Sequence, residues 1–280
     1  MARDRIAEVA LIRQRAGKYK RIPSASDLTS LKAIWNSELK GVAPIDELIL
    51  IRIITILEVF FRDWIEKLID HGAPFVERAS KLKIDLKYDF AIASSLQGGS
   101  VTLGQLIAHS VSLNRIEVFA SMFGTLLAED FFGAISKTRD RWKVRREGGV
   151  AGPIIDDMTR VRKTLARLFE VRHILVHEFP EKKPFEAGEI GRFLDDAALF
   201  LEASDEELAT RLFGDYPLTQ SEMNADARKQ FEVATEQLAV VCKEAAAETP
   251  EISEVQKLWT AFMTAEAERQ TQRQLGGSIR

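Results

Sequence analysis

An all-α fold, a helical bundle carrying a C-terminal helical hairpin, follows from three features of the sequence. Long segments rich in Ala, Leu, Glu, Lys and Arg carry apolar residues at intervals of three and four, the spacing that lines one face of a helix. Glycine and proline, the residues that interrupt helices, are sparse at 16 and 8 of 280. Three Ser/Thr-x-x-Glu/Gln pairs, Thr102 with Gln105, Ser204 with Glu207 and Thr219 with Glu222, have the form of capping boxes that open helices.

The first strong helix is predicted over Pro44–Asp70. Pro44 suits its first turn, Leu48, Ile51, Ile54, Leu57, Phe61, Ile65 and Leu68 are in register, and Gly72 stops it. Gly98, Gly99 and Ser100 form a loop, after which the Thr102 box starts a helical pattern that continues to about Ile135. A second long helix is predicted to start at Gly152-Pro153, with Asp156 and Asp157 at the positive end of its dipole, and to run through Leu165, Leu168, Leu175 and Val176 until Pro180. Thr249-Pro250 opens the last helix. The predicted organisation is a helical extension over 1–43, a helical domain over 44–214 with an insertion at about 73–150, and a two-helix tail over 215–280.

Charge narrows the functional classes. A net charge of −3 and a pI near 5.9 argue against a broadly basic surface for grasping long nucleic acid, so any RNA contact is expected to be local. Cys242 is the single cysteine, which excludes an internal disulfide, and no signal-peptide pattern opens the sequence. A reducing, cytoplasmic setting is the expectation. The most apolar stretch, Ile45–Phe61, is interrupted by Asp46, Glu47, Arg52 and Glu58, so no membrane span is expected. No cofactor is expected either.

One segment concentrates positive charge. Between Lys137 and Gly152 stand Arg139, Arg141, Lys143, Arg145 and Arg146 around Trp142. Two readings stay open: an exposed loop or helix end with solvated charges, or a local RNA-contacting patch whose cations meet phosphates while Trp142 stacks a base.

Near the end of the second long helix stands Arg172-His173-Ile174-Leu175-Val176-His177. An arginine on the same helix as Leu165, Leu168 and Leu175 is costly to bury alone, so Arg172 calls for an anion, a subunit interface, or both. An unperturbed imidazole exchanges its proton near pH 6.5, and a guanidinium is a planar fork suited to phosphate. An ideal helix places residues five apart about 140° from each other, which is awkward for one compact site. A symmetric dimer would supply two copies of Arg172 and His177 to one cleft.

This segment resembles the HEPN superfamily, whose signature is an Arg, usually a polar residue next, and a His five to seven positions after the Arg; Arg172 and His177 match it, and His173 stands where Asn is commonest. The resemblance covers about Asp46 to Leu201. It implies a metal-independent endoribonuclease of toxin or antiviral-defence type, working as a homodimer. There the 2′-hydroxyl attacks the adjacent phosphodiester while His177 moves the proton, Arg172 stabilises the phosphoryl charge and His173 orients or assists. Some HEPN toxins carry a Tyr two residues after the His, where a partner nucleotidyltransferase modifies it; here Phe179 stands there, which argues against that antitoxin route and leaves other regulatory proteins open.

Competing readings remain. His173 and His177, four apart, form a candidate metal pair. Arg172 is free to pair with a carboxylate such as Glu58 or Glu170 while His177 ends the helix, and Glu58 with Arg62 reads as a helix-surface pair. The runner-up function is a catalytically silent adaptor that binds nucleotide or protein in the same groove, and the third is a purely structural scaffold.

From Thr219-Gln220-Ser221-Glu222-Met223-Asn224 through Trp259 to Gly276-Gly277-Ser278, the tail resembles the LprI-type lysozyme-inhibitor domain. That family is braced by cysteines, whereas Ala225, Ala227 and Ala267 occupy the corresponding small positions here, so lysozyme inhibition does not carry over. The tail is expected to serve docking, dimerisation or control, or to be a structural appendage.

Overall fold

The interior is organised by aromatic side chains around Phe61. The computed structural model describes residues 5–16, 21–84, 90–178, 180–249 and 251–275. Among them the chain is all-α, with no strand. The helices in order are α1 (Arg5–Ala16), α2 (Ala25–Ile34), followed by a π-helical turn over Trp35–Leu39, α3 (Ala43–Asp70), α4 (Phe75–Ala79), α5 (Phe90–Gln97), α6 (Leu103–Ser110) and α7 (Ile116–Leu127). Then come α8 (Phe131–Ile135), α9 (Arg141–Arg146), α10 (Met158–His177), α11 (Ala187–Phe213), α12 (Gln220–Glu248) and α13 (Ile252–Leu275). No described helix is long and apolar enough to cross a membrane.

The chain divides into two compact units, Met1–Asp215 and Tyr216–Arg280. In the first, α3 is the central helix: Leu50, Ile53, Leu57, Phe61, Ile65 and Leu68 are fully buried. Its apolar content exceeds one stripe, since helices pack on it from several sides; Leu48, expected in the core, is instead 59% exposed. Phe61 meets Phe119 and Phe123 of α7 at 4.8 and 5.2 Å between ring centroids, and Phe200 of α11 at 5.2 Å. Phe123 stacks on Phe131 of α8 at 5.0 Å. The segment over 73–150 therefore supplies the middle of the core rather than an appended insertion, and Leu28 and Trp35 from the 1–43 segment are buried in the same cluster.

Local signals decide the helix ends where no tertiary contact competes. The Thr102 box forms, with Gln105 N–H donating to Thr102 Oγ1 at 3.1 Å and Thr102 N–H to Gln105 Oε1 at 3.1 Å. The Thr219 box forms likewise, at 3.2 and 3.0 Å. The box expected at Ser204 does not form, because Ser204 lies on the buried face of α11 beside Leu201 and Leu208 and the helix runs straight through it. Glu207 is taken up by Thr138 Oγ1, which donates at 2.8 Å, and by Arg211 at 2.7 Å.

The second long helix also departs from expectation. It begins at Met158 rather than at Gly152, because the Asp157 carboxylate caps it by accepting from Arg160 N–H at 2.9 Å, while Ile154 N–H donates to Thr138 C=O at 2.9 Å and holds the preceding residues as a loop. It ends at His177, where Glu178 turns extended, before Pro180 is reached. The last helix starts at Ile252, whose N–H donates to Thr249 C=O at 3.1 Å; Pro250, Phe179 and Gly276–Ser278 lie outside the described residues.

α10 and α11 run antiparallel, joined by Arg160 to Asp196 and by Arg167 to Glu189 at 3.6 Å. Asp196 is fully buried, and one of its oxygens has no hydrogen-bond partner among the described residues. The second unit is a pair of helices with a groove of about 780 Å³ between them, lined by Phe231, Leu238, Trp259 and Met263. Phe231 and Phe262 remain 72% and 64% exposed.

Two measurements follow. Arg160→Met strands the Asp196 carboxylate in the core and is expected to cost about 3–5 kcal/mol in urea unfolding, whereas Asp196→Asn removes the buried charge and costs less; equal losses would contradict this. The second concerns Asp205 of α11, whose carboxyl is held above the ordinary carboxylate range by burial, against the opposing Trp64 N–H donor at 3.0 Å and Lys67, with Asp63 adding to the rise. A carboxyl raised in the fold makes the native state the better proton binder, so its contribution is fully present below the unfolded value and is lost as pH climbs through the folded one. Asp205→Asn is therefore expected to raise Tm at pH 7, with the gain shrinking as pH falls into the carboxylate range; a Tm lowered at pH 7 refutes it.

Candidate active site

Helix α10 buries one stripe and then surfaces. Val161, Leu165, Leu168 and Val171 are fully buried, and Phe169 lies 5.6 Å from Phe119 of α7. Beyond Val171 burial falls away: Arg172, Ile174 and Leu175 are half-buried, Val176 is 45% exposed, and His173 and His177 are exposed. The amphipathic pattern thus anchors the helix while its last turn emerges at the surface.

That turn gathers the motif. The His173 and His177 rings stand 4.8 Å apart between centroids, tilted by 46°, as expected for side chains one turn apart on one face. Arg172 makes no ion pair and no side-chain hydrogen bond among the described residues. Both carboxylates considered as its partners are engaged elsewhere: Glu58 with Arg62 at 3.2 Å, and Glu170 with Arg167 at 2.9 Å. Arg167 also donates to Pro184 C=O at 2.5 Å, and Glu170, with Glu189 adding to it, raises the affinity of its guanidinium for its proton against the opposing effect of burial. Arg172 is thus a half-buried cation with open hydrogen-bonding capacity beside two accessible imidazoles.

The rest of α10 is accounted for differently. Arg160 is spent on Asp196, and Arg162 lies over the Phe132 ring at 4.6 Å. As for a metal at the histidine pair, no group of three or more candidate ligands occurs among the described residues.

The basic segment folds as α9, capped by Asp140, which accepts from Trp142 and Lys143 N–H at 2.8 and 3.0 Å. Arg139, Lys143, Arg145 and Arg146 are exposed, and Trp142 is 47% exposed. Arg141 departs from the patch: its side chain turns back onto Asp215 and Glu206 and is only 20% exposed. Glu206, for its part, is held above the ordinary carboxylate range chiefly by burial, with Arg141 pulling the other way.

The patch and the motif are not neighbours. Arg167 of α10 meets Glu189 of α11, and Arg141 meets Glu206 of the same helix. At 1.5 Å per residue, the run from Glu189 to Glu206 and the further turn from Arg167 to Arg172 separate them by roughly 30 Å along the bundle axis. Within one chain the cations of α9 therefore do not stand beside the motif.

Two features escaped the sequence reading. Asp196 and Asp46 are buried carboxylates, Asp46 accepting from Trp35 Nε1–H at 2.9 Å, and an acid at an apolar register in a helix was their signal. A surface concavity lined by Lys81, Lys83 and Arg115 also lies apart from the motif, and only the short Lys-Leu-Lys run marked it.

Comparison with protein-family models, with curated proteins and with solved structures returned no match.

Proposed function

We propose that the chain is a metal-independent endoribonuclease that acts as a homodimer, with Arg172, His177 and His173 as its working residues. The observation that supports this reading best is the guanidinium of Arg172, without an ion-pair partner among the described residues, at the surfacing end of α10 next to two exposed imidazoles. An arginine left without a carboxylate is available for an external anion, and phosphate fits its planar fork.

In the proposed reaction one imidazole takes the proton of the 2′-hydroxyl as that oxygen bonds to phosphorus. The P–O5′ bond breaks, and the imidazolium so formed gives the proton to the departing 5′-oxygen. The products are a 2′,3′-cyclic phosphate and a 5′-hydroxyl, with no metal, oxidant or water consumed. Arg172 stabilises the charge that builds on the non-bridging oxygens. His177 is assigned the proton transfer and His173 the orienting or auxiliary role. A single helix end offers one guanidinium and spreads Arg172 and His177 around its circumference, so the dimer is part of the proposal. The exposed cations of α9 would then hold a distant part of the RNA rather than the scissile phosphate. A toxin or defence role, with a regulatory protein restraining the activity, completes this reading.

The distance between α9 and the motif favours a second reading, a silent adaptor that binds nucleotide or protein at α10 without cutting RNA. One gel separates the two. The nuclease reading predicts that purified protein cleaves RNA in excess EDTA, that products carry cyclic phosphate ends, and that His177→Ala and Arg172→Ala each lower the rate by about 10²-fold or more. Full activity in both variants, or activity lost to EDTA, removes the assignment; binding without product selects the adaptor.

A further inference from the structure

A concavity beside α7 gathers cationic side chains. It measures about 640 Å³ and is enclosed by the residues after α4, the end of α6 and one face of α7. Lys81, Lys83 and Arg115 line it, and none of the three makes an ion pair among the described residues. Among the described lining residues three are cationic and Glu117 is the one acid, in a chain whose net charge is −3. Exposed lysines repel one another when gathered, and the gathering is relieved by a bound anion.

Arg115 is the N-cap residue of the 12-residue helix α7, and Glu117 stands in that helix's first turn, where a carboxylate favours the positive end of the dipole. Ser112 and Ser121 add hydroxyls able to donate to an anion. The floor is apolar: Leu82, Ile84 and Val118 are half-buried and Met122 is buried. The volume falls within the few hundred to roughly 1,000 Å³ of small-molecule sites.

We propose that this pocket binds a small phosphorylated molecule whose body, of nucleoside size, lies against Leu82, Ile84 and Met122 while its phosphate meets Lys81, Lys83 and Arg115. The site is distinct from the motif. Val118, Ser121, Met122 and Thr125 line the pocket from one face of α7, whereas Phe119 on another face meets Phe169 of α10. Glu117 at the rim is placed to accept from a hydroxyl or amino group of the body.

The test is calorimetric titration of the full chain with AMP, adenosine and inorganic phosphate at low salt, repeated on Lys83→Ala/Arg115→Ala and on Arg172→Ala. The lining cations are exposed, so the double variant is expected to keep wild-type helicity and Tm. Saturable binding of one AMP per chain, weakened at least tenfold in the double variant, retained in Arg172→Ala, and tighter than that of either adenosine or phosphate, is the expected result. The proposal is overturned if AMP does not bind, if adenosine binds as well as AMP, if phosphate alone binds as tightly, or if binding disappears in Arg172→Ala and survives in the double variant, which would place the ligand at the motif.

Discussion

Phe61 is the point at which four helices of the first unit meet, and the seating of α10 depends on that meeting. Its ring touches Phe119 and Phe123 of α7, Phe131 of α8 and Phe200 of α11. Such edge-to-face contacts add to the large apolar area that each ring buries, and they have preferred geometries, so they fix register as well as supplying energy. Phe119 extends the cluster to Phe169 and thereby seats α10. With α10 buried as far as Val171, its last turn, bearing His173 and His177, is exposed.

The charges on α10 obey the same logic. Arg160 is drawn to a fully buried Asp196, Arg162 to a ring face, and Arg167 to two acids and a carbonyl. Each of these cations ties the helix to the bundle. Arg172 is not used in this way among the described residues: the acids Glu58 and Glu170 pair with Arg62 and Arg167 instead. The fold therefore spends its carboxylates on other arginines and leaves this one, with its two histidine neighbours, facing outward.

Much of this was legible in the amino-acid order. The all-α class, the long helices ending at Asp70 and near Pro180, and the Thr102 and Thr219 boxes all rest on local spacing, which a linear pattern records well. What failed depended on distant partners. Ser204 has the form of a cap, but burial against the bundle overrode it; the start of α10 is set by a carboxylate cap and by a hydrogen bond from Ile154 to Thr138, 16 positions back. Arg141 left the patch because Asp215, 74 positions on, folds back to meet it. The 30 Å gap between patch and motif, likewise, is visible only once α10 and α11 are laid antiparallel.

That gap sharpens the case for a second subunit. One chain presents a guanidinium and two imidazoles at one helix end, and its exposed basic helix lies toward the other end of the bundle. The account requires that residues from two chains act on one phosphodiester. Mixing tests it most directly: Arg172→Ala and His177→Ala chains, each inactive as a homodimer, are co-expressed and the mixed dimer is isolated by differential tags. The account predicts that the mixed dimer regains RNA cleavage well above either parent, since one intact Arg172 and one intact His177 then meet across the interface. A mixed dimer as inactive as its parents, or a monomer that cuts RNA at full rate, would contradict it.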